Sequence, residues 1–599
     1  MGYETICELF LHAVGNYRKD AALMVKKEDR YRAISTEEFE RRVKLFTFGL
    51  CALGVQKDDK VALLSENRPE WAIGDLGILC AGAIDVPIYP TLLPDQVKYI
   101  LADSDSKVMI VSNDVHLKKI QQIIGDLPQL KQLIVCDPVK AGDGVMSFED
   151  VLALGEKKQK EDPDLFRKRS EAVHASDIAS LIYTSGTTGN PKGVMLMHSN
   201  IVSNVKATDS LMEITPNDVA LSFLPLCHIF ERMVDYLLIS KGVTIAYAES
   251  VEKVPVNMVE VAPTLMASVP RLYEKMYARV MDMAQSGSAL KKKIFFWAIG
   301  VGKEHGQKLL NKESPSGLLS LQRALAHKLV FHKIHARTGG RLRFFISGGA
   351  PLSRDIAEFF YAAGITILEG YGLTETSPVI AVNTLKDIRF GTVGRIVSGV
   401  EVRIAPEDGE ILVKGPNVMK GYYKRDAETR EVIKDGWFRT GDIGHIDPDG
   451  FLVITDRKKD LIKTSGGKYV APQPIENKLK TDELITTAVV LGDKRKFCCA
   501  LIVPNFEKLE PWAQAQGIPF KDRGDLVKNQ KIIDHYVSVI DRLTPNLAQY
   551  EKIKKVALLQ RDFTIEDGEL TPTLKVKRNV VDKKYKDLID ALYADNRGD

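Results

Sequence analysis

The chain has no charge bias. Its 83 basic and 79 acidic residues leave +4 over 599 residues, too even a balance for a broad field that gathers nucleic acid. It has no long hydrophobic run: nothing approaches the roughly 20 consecutive apolar residues that span a bilayer, so any membrane contact is expected to be peripheral. It is poor in cysteine. The seven thiols are odd in number and scattered, and Cys498 and Cys499 sit side by side in an apolar run that reads as a strand. A reduced, cytoplasmic setting fits that pattern better than a disulfide framework. There is no zinc-like Cys/His cluster, no internal repeat and no low-complexity tract. The first residues carry no basic stretch followed by an apolar core, so no signal peptide is expected. They turn straight into an amphipathic pattern at Ile6, Leu9, Phe10 and Ala13.

Such a length exceeds what one hydrophobic core organises, so two or more domains are expected. Apolar content of 45% and charged content of 27% are ordinary for a globular enzyme. Up to about residue 390, short apolar runs alternate with amphipathic helix patterns. Residues 61–64, 108–111 and 133–135 read as buried strands, and 35–53 reads as a helix between them. That alternation predicts an α/β fold with largely parallel sheets. The texture changes near Gly391. Residues 402–404 and 411–413 flank an Asp408-Gly409 turn, and a second hairpin is predicted around Asp449-Gly450. A charged segment, 456–460, reads as a linker, and beyond it lie strands near 485–491, 498–503 and 555–559 with helices between. The predicted architecture is a large N-terminal domain, residues 1–457, with a β-rich submodule at 391–457. A hinge at 458–463 and a smaller, mobile α+β domain at 464–599 follow.

The strongest local signal runs from Tyr183 to Gly193, after the apolar strand 178–182. Thr184, Ser185, Thr187 and Thr188 supply hydroxyls, Gly186 and Gly189 let backbone approach an anion, and Lys192 adds a cation. A polar hairpin loop is the plain alternative. A Walker-type phosphate loop is excluded by the residues themselves. Counted from Gly186, that motif needs glycine at 191 and Ser or Thr at 193, where the chain has Pro191 and Gly193.

The loop resembles that of the adenylate-forming enzyme superfamily, and five further segments resemble that family's motifs in order. They are Ser347-Gly348-Gly349-Ala350-Pro351, 369–376 (Glu369 to Thr376), Thr440-Gly441-Asp442, 456–463 and 570–575. The resemblance implies ATP, Mg²⁺ and coenzyme A as ligands. It places Gly349, Ala350, Glu369, Gly370, Tyr371, Gly372 and Thr374 around adenine, with the Tyr371 face suited to stacking on a purine. The two glycines beside Tyr371 would leave room for the ring. It assigns Asp442 and Arg457 to ribose or phosphate, Thr184 and Glu375 to Mg²⁺, and Lys459 to a pivot, and it counts Lys459 and Lys463 among the cofactor-binding residues. Lys575 is the implied catalytic lysine, acting with Lys192 and Glu375. Read alone, Asp442 is equally a turn aspartate, and Arg457 and Lys459 are equally solvated charges.

Residues 435–444 and 463–472 resemble signature stretches of fatty acyl-CoA synthetases, and Gly466 and Gly467 would let a pantetheine arm pass. An insertion at about 281–340, with Leu290 to Ala298 at its start, resembles the long-chain branch. Its helix is read either as a surface element near the acyl entrance that touches membrane or as an ordinary packed helix with a basic end. In the segment 224–232, His228 and Phe230 are placed at an acyl-pocket floor. Arg232 stands where some relatives have a gating tryptophan, so a tryptophan-gated tunnel is not carried over. The implied activity is ATP-dependent ligation of a long-chain fatty acid to coenzyme A through an acyl-adenylate. The alternatives are another adenylating enzyme, such as an aryl- or medium-chain acyl-CoA ligase, and a non-catalytic acyl-binding or transport scaffold.

Overall fold

The computed structural model describes residues 2–138, 144–184, 190–564, 567–571 and 576–594. Ser185, Gly186, Thr187, Thr188, Gly189 and Lys575, all named above as site residues, lie outside the described residues.

Two large sheets form the body of the chain. The first has eight strands, in spatial order 421–422, 192–197, 178–184, 84–88, 60–64, 108–111, 132–135 and 145–147. Its six strands from 178–184 to 145–147 run parallel, and 192–197 returns antiparallel to 178–184. The predicted strands at 61–64, 108–111 and 133–135 all lie here. Continuous apolar runs become buried parallel strands because helices cover both faces. The predicted helix at 35–53 forms as Thr36–Ala52, with Ser35 capping it through the Glu38 N–H. The second sheet has nine strands, with 395–396, 379–382, 366–372, 344–347, 265–268, 219–222, 244–247, 23–27 and 30–34 side by side.

Helix Ile229–Ser240 is buried along nearly its whole length, and one arginine fixes it in place. Arg232 is 1% exposed. Its guanidinium pairs with Asp75 of helix Pro69–Cys80, lies 2.9 Å from Asp85 of strand Ile84–Ile88, and donates to the Ser180 hydroxyl at 2.8 Å. Tyr236, one turn on, accepts from Arg232 Nε at 2.8 Å and donates to Asp75 at 2.6 Å. Burial, together with the facing Asp75, pushes the Asp85 carboxyl well up, with Arg232 opposing. Position 232 is thus a structural tie between helix 229–240 and the first sheet.

The β-rich part forms a third sheet of five strands, 401–404, 410–414, 437–446, 433–434 and 452–457. Both predicted hairpins are in it. The segment 456–460 differs from a plain linker. Asp456 and Arg457 end strand Leu452–Arg457, paired with Ile443 and Asp442, and Asp456 is 1% exposed. Arg457 and Lys458 have carboxylate partners in the β-rich part, whereas Lys459 is exposed. Beyond it, a mixed three-stranded sheet of 485–491, 498–504 and 553–558 carries helices on its two sides around separate apolar clusters. The fold is α/β, a large N-terminal domain followed by a smaller C-terminal one. All seven cysteines are unpaired. Among the described residues no helix is long and apolar enough to cross a membrane.

Removing Arg232 would leave two buried carboxyls facing each other. Arg232→Ala is expected to destabilise the N-terminal domain by about 3–5 kcal/mol, read from the urea midpoint. A loss below about 1 kcal/mol would mean that the carboxyls simply protonate and that the tie is weak.

Candidate active site

The strands of the two large sheets that carry the motifs end near one another because a single segment crosses between them. Residues 415–423 run from the second sheet to the first. Met419 N–H donates to the Glu375 carbonyl, Lys420 N–H to Met195 and Tyr423 N–H to Gly193. Three buried asparagines hold the crossing. Asn200 donates to the carbonyls of Pro416 and Val418, Asn204 exchanges hydrogen bonds with the Val379 backbone, and Asn417 donates to the Thr376 carbonyl.

Thr184 and Lys192 face each other across the antiparallel pair of strands 178–184 and 192–197. Lys192 Nζ lies 5.0 Å from the centre of the Tyr422 ring, close enough for a cation–π contact. The Tyr422 hydroxyl donates to Glu375 Oε1 at 2.9 Å. Burial, then the Glu375 carboxylate, pushes this phenol well above its ordinary pKa, so it stays a donor. Lys192, Tyr422 and Glu375 therefore form one chain from the first sheet to the second. The sequence reading named the ends of this chain and missed Tyr422. The signal lay in Gly421-Tyr422, whose short strand needs glycine: φ is +147° and a Cβ would meet Thr429 at 2.8 Å.

The second constellation joins the second sheet to the third. The Tyr371 hydroxyl donates to Asp442 Oδ2 at 2.6 Å, and Arg457 Nε lies 3.2 Å from Asp442 Oδ1. Asp442 and Arg457 are direct cross-strand partners. Each carboxylate oxygen keeps a lone pair beyond these contacts. Glu410, 3% exposed, was also missed. It accepts from Gly441 N–H at 3.0 Å, from Arg439 and from Lys458 Nζ at 3.1 Å. It thereby holds the Thr440-Gly441-Asp442 turn and the first lysine of the expected hinge with one side chain.

A Cβ on Gly372 would come within 1.7 Å of the Pro378 carbonyl oxygen, so neighbouring backbone requires glycine there, and one on Gly370 would come within 3.3 Å of Val382, a tight contact. Glu369 faces the interior at 8% exposure and accepts a long hydrogen bond, 3.4 Å, from Leu352 N–H. Burial pushes its carboxyl up to about 8. Thr374 and Glu375 sit half-buried in a tight turn, 374–376.

His228 caps helix 229–240: its Nδ1 accepts from Phe230 N–H at 3.1 Å, which leaves the neutral ring protonated at Nε2. The Phe230 ring packs on Gly348, where a Cβ would come to 3.0 Å. Phe230 and Gly348 are therefore in contact. Gly349 takes φ +78°, and it and Ala350 are exposed.

Lys459 is exposed beyond strand 452–457, where the Arg457 carbonyl accepts from Asp460 and Leu461. Lys463 lies over the Tyr469 ring at 5.3 Å in a small hairpin, Ile462–Lys463 with Tyr469–Val470. Gly466 and Gly467 are exposed at its tip. On either side of residues 572–575, Leu570 and Val576 pair across an isolated bridge. Among the described residues no three His, Cys, Asp or Glu side chains cluster as a metal site.

A model of the AMP-binding enzyme family matches residues 10–423, and a model of the AMP-binding enzyme C-terminal domain matches 459–597. The chain is similar to the long-chain-fatty-acid–CoA ligase FadD15 of Mycobacterium bovis, 37% identical over 563 residues, 94% of this chain and 92% of that protein. It is also similar to the peroxisomal long chain acyl-CoA synthetase 7 of Arabidopsis thaliana, 32% identical over 624 residues, 99% of this chain and 86% of that one. The solved structure of the anthranilate CoA ligase AuaEII, in complex with anthranoyl-AMP, shares the fold. Its TM-score is 0.73 at 21% identity, with 98% of each chain covered.

The Glu369 carboxyl gives a pH signature. Its folded pKa, about 8, lies above the unfolded value of about 4.3, so between those pH values the folded chain binds more protons than the unfolded one. Stability therefore falls as pH rises, at up to about 1.4 kcal/mol per pH unit. Glu369→Gln is expected to melt above the wild type at pH 8 and to converge with it below about pH 4. Parallel melting curves at both pH values would show that Glu369 is ionised at little cost.

Proposed function

The chain belongs to the AMP-binding enzyme family, and on that premise we propose that it is an ATP-dependent long-chain-fatty-acid–CoA ligase. It joins a fatty acid to coenzyme A through an acyl-adenylate, releasing pyrophosphate and then AMP. The observation that carries this reading is the chain Lys192–Tyr422–Glu375, joined across the two sheets by the segment 415–423. The other adenylating enzymes keep the nucleotide motifs, and the long-chain reading is favoured over them by similarity to long-chain ligases along nearly the whole chain.

In the first half-reaction a carboxylate oxygen attacks the α-phosphorus of ATP. A P–O bond forms to the acyl group, and the bond to pyrophosphate breaks. The carboxylate is already an anion at neutral pH, so alignment and charge neutralisation suffice. Lys192 and the loop 184–189 are assigned to the phosphates, Tyr371, Gly349 and Ala350 to adenine, and Asp442 with Arg457 to ribose. Thr184 and Glu375 offer a hydroxyl and a carboxylate, hard oxygens that suit Mg²⁺ completed by phosphates and water. Glu375 fits this role because its one named partner, the Tyr422 hydroxyl, is neutral. When bound, the ion supplies neutralisation of the triphosphate. His228 and Phe230 are assigned to the acyl group, and Gly466 and Gly467 to the pantetheine path. In the second half-reaction the thiol sulfur attacks the acyl carbonyl, the bond to AMP breaks, and the thiol proton leaves to solvent. Seven unpaired thiols suit a reducing compartment, the cytoplasm.

Lys575 is assigned to the developing charge at the α-phosphate in the first half-reaction alone. Lys575→Ala should abolish pyrophosphate release, with a loss of roughly a thousandfold, while thioester formation from supplied acyl-adenylate continues. Equal loss of both half-reactions would remove Lys575 from this role.

The two half-reactions need different surroundings, first a lysine and then a thiol. We assign the change to a rotation of the C-terminal domain about Lys459. Proline at 459 fixes φ there and restricts residue 458, so Lys459→Pro should hold the chain in one orientation. Acyl-adenylate formation in a single turnover should persist while thioester yield collapses. Wild-type rates in both assays would sink the pivot and leave the ligase assignment standing.

A further inference from the structure

Residues 281–340 hold ten Lys and Arg against three Asp and Glu, so this one segment outweighs the +4 of the whole chain. It is also where apolar side chains meet solvent. Of the eighteen large apolar side chains exposed among the described residues, nine lie between Met283 and Leu329. Four of them form an ordered row. The helical run starting with Gly317–Ala326 and continuing through 327–337 packs Leu319, Ala326, Val330, Phe331 and Ile334 inward. Outward it presents Leu318, Leu321, Leu325 and Leu329, exposed by 68%, 68%, 48% and 42%. Spacings of three, four and four residues set these leucines one per turn on a single face. A soluble surface rarely carries such a face without a partner.

The charge beside the row selects the partner. From residue 314 to residue 354 there is no Asp or Glu, while Arg323, Lys328, Lys333 and Arg337 lie on the run itself. The adjoining helix Ala289–Leu310 adds Lys291, Lys292 and Lys293 beside exposed Leu290, Phe296 and Trp297. A second copy docked about a two-fold axis would bring this basic face against itself. A bilayer of anionic phospholipid satisfies both features, taking up leucines and aromatics at the acyl boundary and cations at the headgroups.

We infer that the leucine row of residues 317–331, with its flanking lysines, is a docking surface for an anionic membrane. It would bring the enzyme to the phase in which long-chain fatty acids dissolve. The placement is on the second helix of the insertion rather than on the helix opening at Leu290, which buries Phe295, Ala298, Val301 and Gly302 and contributes its exposed end.

The full-length protein is mixed with vesicles of equimolar phosphatidylglycerol and phosphatidylcholine, or of phosphatidylcholine alone, and the bound fraction is read by co-sedimentation. Binding needs no turnover, so its failure is separate from any failure of the ligase reading. The protein is expected to bind the anionic vesicles, less so as salt rises, and to bind phosphatidylcholine weakly. Leu321→Glu/Leu325→Glu and, separately, Lys328→Glu/Lys333→Glu should each lower binding by about tenfold or more. Both variants should keep the wild-type melting temperature, and the lysine pair decides the matter if the leucine pair does not fold. No binding by the wild type at low salt, or equal binding by folded variants, would overturn the inference. So would a dimer dissolved by the leucine pair with vesicle binding unchanged, which would make the face a contact between copies.

Discussion

The buried guanidinium of Arg232 is the constraint on which the rest depends. A charge taken out of water must be answered on every side. The answers come from helix 69–80, strand 84–88, strand 178–184 and the next turn of its own helix. Satisfying one side chain thus fixes helix 229–240 against the first sheet. That helix opens at His228 and Phe230, and Phe230 rests on Gly348 at the end of a strand of the second sheet. The position assigned to the acyl chain is therefore set by electrostatics buried a turn away from it. Hydrophobic packing could hold the helix at that depth, but it is non-directional. The forked donors of arginine, meeting two carboxylates and a hydroxyl, also fix its rotation.

The crossing segment 415–423 solves a different problem. Two parallel sheets present their strand ends separately, and a site spanning both needs a strut. The strut is built from backbone hydrogen bonds backed by Asn200, Asn204 and Asn417. Buried amides suit it because they supply donor and acceptor together and carry no charge. Tyr422 rides on this strut, so one phenol stands between Lys192 and the proposed metal carboxylate.

The parallel strands were legible because four- or five-residue apolar runs such as Val61 to Leu64 have little else to become between helices. The hairpins were legible from Asp408-Gly409 and Asp449-Gly450, whose turn chemistry is local. What could not be read is what depends on partners far along the chain. Arg232 read as a departure from a motif, because its carboxylates sit 157 and 147 positions earlier. Arg457 read equally as a solvated charge, because its partner Asp442 belongs to another strand. Tyr422 and Glu410 carried no motif of their own. Gly372 has a second reason to be glycine, since the Pro378 carbonyl that excludes a side chain is brought back by a turn that composition does not announce.

The end of strand 452–457 joins these arguments. Successive residues on a strand point to opposite faces, and here the two faces belong to two different tasks. Arg457 lies against Asp442, on the face assigned to ribose. Asp456, turned inward, accepts from Gln473 N–H at the start of helix Pro472–Leu479 of the C-terminal domain. Burial pushes its carboxyl up to about 6, with the backbone N–H donors and Arg578 opposing, so neutral pH holds a proportion of this contact ionised at a cost. A rotation of the C-terminal domain that withdrew Gln473 would expose Asp456 to water and relieve that cost. It would do so one peptide away from the arginine assigned to the nucleotide. The domain contact and the Arg457–Asp442 contact are thereby neighbours in sequence as well as in space.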